Sequence, residues 1–113
     1  MSLNLPPPGT GDPLYALEKL FVAVHELDQS DRPLKASLYE AGIELIKIAH
    51  RDLPKGELRW AFAALRRDLA HVEPKHDEGA LIATIEAMTE PDCIAITERI
   101  RKLCSSLDAR LKA

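Results

Sequence analysis

The sequence predicts an all-α fold, an up-and-down bundle of four main helices with one short helix beside them. Three observations predict it. Large aliphatic residues recur at alternating three- and four-residue steps in four stretches, the spacing that keeps one stripe on one side of a helix with about 3.6 residues per turn. The stretches are separated by Pro- and Gly-containing breaks, which stop helices. Aromatic residues make up only 4% of a chain rich in Ala and Leu, a helical rather than a β-rich balance. No single helix can bury its own apolar stripe, so the four stripes require one another.

Residues 1–11 read as an extended or disordered tail. Pro6, Pro7 and Pro8 lack amide donors and Gly9 and Gly11 loosen the chain. The single helical domain is therefore expected over residues 12–113.

Helix A is predicted from Asp12, an N-cap followed by Pro13 at the first helical position, to about Asp28. Its predicted core stripe is Leu14, Leu17, Phe21 and Val24, widened by Leu20 and Leu27. Helix B is predicted from Asp31–Pro33 to about His50, with Leu34, Leu38, Ala41, Leu45 and Ile48 inward. Ile43 lies nearly opposite that stripe. Gly42 falls mid-helix at a cost of about 1 kcal/mol against Ala, which the close approach of a neighbouring helix would explain.

Pro54 and Gly56 interrupt the chain, and helix C follows from Gly56 or Glu57 to His71. Its inward stripe is Leu58, Phe62, Leu65, Leu69 and, just beyond it, Val72. A short helix D is predicted over Asp77–Met88. Thr89 then caps helix E, with Asp92 three positions on completing a capping box. Cys93, Ile96, Ile100, Leu103 and Leu107 form its stripe. Glu98 with Lys102, and Asp108 with Lys112, are four-residue charge pairs on its wet side.

At 113 residues, 46% apolar, 29% charged and a net charge of −3, the chain fits one globular domain. That balance argues against a dominant nucleic-acid surface. The basic residues Arg51, Lys55, Arg59, Arg66 and Arg67 are interleaved with Asp52, Glu57 and Asp68. There is no run of about 18 apolar residues and no basic, apolar leader, so no membrane span or signal peptide is expected. Cys93 and Cys104 share one predicted helix roughly 16 Å apart, too far to bridge. Reduced thiols and a cytoplasmic location are expected.

Three patterns touch on chemistry. Glu73 and His76 have the Glu-x-x-His spacing of di-iron bundles, but there is only one such pair, it spans Pro74, and the inward positions are aliphatic. No metal and no cofactor are expected. His50 with Lys55 and Gly56 resembles the His-x-x-Lys-Gly of histidine-phosphotransfer domains. The Lys-Gly comes two residues late and Pro54 ends the helix, so His50 is read instead as complementing the negative end of helix B.

The stretch Arg66-Arg67-Asp68-Leu69-Ala70-His71 resembles the Arg-x4-His motif of the HEPN family, small all-α bundles that include RNA-cleaving toxins. Leu69-Ala70 fits the apolar approach to the His, while Arg67 departs from the Asn common after the Arg. The resemblance implies a metal-independent ribonuclease. His71 would be the acid or base on a ribose hydroxyl, and Arg66 would steady the phosphate charge. The plainer reading of the same residues is a solvated face with a His in the final turn.

The surface feature of greater weight is Trp60. It lies opposite the inward stripe of helix C, with Ala64 and Arg67 on its side. An outward Trp beside Arg is the mix found at interface hot spots. Cover by helix D or by the N-terminal tail is the alternative. The expected function is a non-enzymatic interaction or regulatory module, holding a protein partner or a second copy through Trp60, Ile43, Ala64 and Arg67, with a homodimer as the expected form.

Overall fold

Asp12 sets the start of the first helix: its side chain accepts the Leu14 amide N–H at 2.9 Å, and Pro13 occupies the first turn. In the computed structural model, which describes residues 11–74 and 79–113, five α-helices follow in order. They are α1 (Pro13–Leu27), α2 (Leu34–Leu45), α3 (Glu57–Leu69), α4 (Ala80–Ala87) and α5 (Glu90–Lys112), with a 3-10 turn at His50–Asp52. Among the described residues there is no strand. No helix there is long and apolar enough to cross a membrane.

α1 packs against α2 and α5, and α5 takes α3 as well. α2 and α3, though consecutive helices, make little direct contact; α4 packs on both. Lys35 Nζ donates to the Glu86 carbonyl at 3.0 Å, and the Val72 N–H donates to the buried Thr84 Oγ1 at 2.9 Å. Both bonds tie α4 in place. The core contains Leu20, Leu38, Leu45, Phe62, Leu65, Leu69, Ile100 and Leu107, all fully buried. Leu20 comes from α1, and the others come from the predicted B, C and E stripes.

The predicted stripe of α1 is corrected at two of its positions. Leu14 and Phe21 are 57% and 50% exposed. Leu17, Leu20 and Leu27 are buried as expected, and Tyr15, Ala16 and Ala23 complete the buried face. The inward face is therefore rotated from the predicted stripe, away from Leu14 and Phe21 and toward Ala16 and Ala23. The small side chains of Ala16 and Ala23 let neighbouring helices approach closely, where Leu14 and Phe21 would hold them off.

Helix B is also shorter than predicted. It ends at Leu45, five residues before His50. Beyond it the Asp52 carboxylate accepts the Ala49 N–H at 2.9 Å and the Gly11 N–H at 3.1 Å. Those bonds favour the tight 3-10 turn over continued α-helix. His50 therefore does not cap α2, as expected from sequence; its ring stands edge-on to Phe62 at 5.7 Å. α3 ends at Leu69, leaving His71 outside the helix.

α4 begins at Ala80; the predicted earlier start at Asp77 lies outside the described residues, as does His76 of the Glu-x-x-His pair. α5 starts as predicted. The Thr89 side chain accepts the Asp92 N–H, and the Asp92 carboxylate accepts the Thr89 N–H, both at 3.2 Å. Asp108 and Lys112 pair at 3.0 Å, but Glu98 and Lys102 form no ion pair among the described residues.

Candidate functional site

α3 presents its sides to different surroundings because of where its aliphatic residues fall. Phe62, Leu65 and Leu69 are buried. Trp60, two residues before Phe62, lies about 160° around the helix from it. It is 71% exposed, the most open large apolar side chain among the described residues. α4 does not cover it. Arg67 is exposed on the same side and Ala64 is half-buried there. Glu57, one turn before Trp60, is exposed and has no ion pair among the described residues.

Ile43 is not part of this surface. It is half-buried and packs on the core, on a helix that barely touches α3. Its off-stripe position in α2 is covered because α2 is packed from more than one side, by α1, α4 and α5.

Beside Trp60, between α3 and α5, runs a groove of about 320 Å³. Leu58, Ala61, Leu65 and Leu103 line it, with Arg99 and Lys102 among the polar residues at its walls. Arg99 is held by Asp68 at 2.8 Å. Arg67 has only a distant 3.8 Å approach to the same carboxylate, so its guanidinium is available to an outside partner.

The remaining arginines of α3 are engaged with the backbone. Arg59 donates through Nε and Nη2 to the Leu53 carbonyl at 3.1 and 2.7 Å. Arg66 donates through Nη1 to the Ile48 carbonyl at 3.0 Å. Both satisfy carbonyls in the irregular stretch between α2 and α3, which lacks helical partners for them.

His71 is exposed. Its Nδ1 lies 3.0 Å from the Asp68 carbonyl; an oxygen there can only accept, so Nδ1 carries the proton. His71 lines a recess of about 320 Å³ with Asp68, Met88, Asp92 and Arg99. Arg66 is not part of that recess.

Leu14 and Phe21 are surface residues that sequence reasoning assigned to the core. The available signal was the pair of small side chains, Ala16 and Ala23, on the same helix.

No protein-family model matches the chain, and no curated protein or solved structure gives a significant match.

Proposed function

We propose that the chain is a non-enzymatic interaction module that self-associates through the outward face of α3, with Trp60 as its anchor. The exposure of Trp60 beside a small residue and an available arginine carries this reading. Running two copies of α3 antiparallel about an axis near Phe62 sets Trp60 of one copy over Ala64 of the other. The same operation sets Glu57 opposite Arg67, twice. A large ring meets a small side chain, and opposite charges meet at both ends, as an isologous interface requires. Burying Trp60 removes from water the largest apolar surface this helix exposes.

Light scattering on a sizing column tests the reading. The wild-type chain is expected to run above its monomer mass of 12.5 kDa as concentration rises, and Trp60→Ala to lower the assembly's mass. A wild-type mass unaffected by Trp60→Ala would overturn it. The rival reading, an RNA-cleaving site at Arg66 and His71, has no geometric observation of its own in support. RNA degradation that is lost in His71→Ala would nevertheless establish it.

A further inference from the structure

We infer that the groove between α3 and α5 is a binding site for a small monocarboxylate with an apolar body. The inference does not depend on the self-association reading, whose anchor Trp60 does not line the groove.

The groove lies where two facing side chains are short. Ala61 of α3 and Ser106 of α5 line it, over an apolar floor of Leu58, Leu65 and Leu103. Its volume of about 320 Å³ is well beyond a packing void, which seldom exceeds a water molecule. It falls at the lower end of the range for small-molecule sites. That space admits a short alkyl chain or a single ring.

The charges of the groove are sorted by end. Arg99 and Lys102 both line it and lie within one turn of α5. Lys102 is exposed and has no ion pair among the described residues. Arg99 is held through Nη1 by Asp68 at 2.8 Å. Asp68 borders the neighbouring recess, which Arg99 also lines, and not the groove. The carboxylate thus fixes the guanidinium without occupying the site. The other guanidinium nitrogens make no hydrogen bond among the described residues. A cation positioned in advance loses little freedom when it takes an anion.

Glu57 also lines the groove. It lies roughly 16 Å along α3 from Asp68, so its negative charge stands at the end away from Arg99. An anionic head is therefore drawn to Arg99 and Lys102 and repelled from the Glu57 end, with the leucines between. One carboxylate on an apolar body satisfies both features. An inorganic anion leaves the leucines in water, and an alcohol of the same body leaves the two cations unused.

Isothermal titration calorimetry with octanoate tests this, on the full chain at a concentration where light scattering gives a single mass. One octanoate per chain is expected to bind. Octanol, the same chain without the charge, is expected to bind roughly tenfold more weakly, the scale of hydrogen bonds to a charged group. Lys102→Glu is expected to weaken octanoate by roughly tenfold, since it replaces an exposed attraction with a repulsion. Lys47→Glu makes the same charge change at a residue outside the groove and is expected to leave octanoate binding unchanged. Ala61→Phe, which fills the groove from an exposed position, is expected to abolish binding. Circular dichroism on each variant checks that helix content is kept. Should Ala61→Phe lose it, Lys102→Glu against Lys47→Glu decides.

An absence of octanoate binding to the wild-type chain overturns the inference. So does octanol binding as tightly as octanoate, or a loss in Lys47→Glu equal to that in Lys102→Glu. A folded Ala61→Phe chain that still binds octanoate places the site elsewhere and overturns it too. No octanoate binding together with a mass lowered by Ala61→Phe assigns the groove to a second copy of the chain instead. The self-association reading is tested separately, by Trp60→Ala.

Discussion

Leu81 lies directly over the backbone of Gly42: a Cβ placed there would stand 2.8 Å from Leu81 Cδ1. The glycine in the middle of α2 is thus the contact point at which α4 reaches that helix. Both residues are buried, so the leucine has little freedom to move aside.

Gly42→Ala sets two effects against each other. Helix propensity gains about 1 kcal/mol, and overpacking costs about 1–3 kcal/mol. The buried position of Leu81 decides for the cost. Urea denaturation is expected to show a net loss of about 1 kcal/mol, by these two figures. In a Leu81→Ala background the same substitution is expected to be neutral or stabilising, because the obstructing methyls are gone.

Asp52 holds the turn that joins α2 to α3. It is fully buried and accepts the Gly11 and Ala49 amide hydrogens. Asp52→Ala is expected to cost about 2–3 kcal/mol, the scale of hydrogen bonds to a charged group together with the amides left without an acceptor. Asp52→Asn retains one acceptor oxygen and is expected to fall between. Faster hydrogen exchange at Ala49 is the local sign that the turn has opened.

Thr89 and Asp92 start the longest helix of the chain by exchanging bonds at 3.2 Å. Thr89→Ala is expected to destabilise by about 1 kcal/mol. Thr89→Ser, which keeps the hydroxyl, is expected to be close to neutral. Thermal melts of the two variants side by side check this.

Burial pushes the Cys104 thiol above its ordinary pKa of 9.0, and Asp108 adds to the rise. Cys93 is raised too, by burial first, with Lys35 opposing and Asp92 and Glu90 assisting. In the folded chain both thiols therefore hold their protons to higher pH than in the unfolded chain. Below the ordinary value both states are protonated and stability does not vary through these groups. Above it the unfolded chain loses protons first, so it binds fewer, and stability falls as pH rises. Denaturation midpoints are expected to drop above pH 9.0 in wild type, and to drop less in a Cys93→Ala, Cys104→Ala double variant. Below that pH both thiols are expected to resist alkylation until the chain unfolds.

Helix termini were legible in the sequence wherever a side chain marks them. Asp12-Pro13 and Thr89-x-x-Asp92 each state their caps locally, and α1 and α5 begin where those residues say. The end of α2 was not legible. It depends on a carboxylate that bonds Gly11, 41 positions away in the chain, and no local pattern records such a bond. The inward face of α1 was misread for a different reason. Leu17, Leu20 and Leu27 were placed inward correctly, but Leu14 and Phe21 share their periodicity with Ala16 and Ala23; side-chain size favours the first pair, while close helix packing selects the second. Trp60 could be placed on the outside from its angle to Phe62 alone. Ile43, by the same argument, should have been outside too; it is covered because α2 has neighbours on several flanks, which a single-helix projection cannot register.

The central claim is that copies of this chain meet at Trp60. Trp60 is the single tryptophan in the sequence, so its fluorescence reports on that face and nothing else. Emission wavelength and quenching by acrylamide, followed from dilute to concentrated protein, test the claim most directly. The account predicts a shift to shorter wavelength and weaker quenching over the same concentrations at which light scattering shows the mass rising. Emission that stays fully solvated and fully quenchable while the mass rises would contradict it.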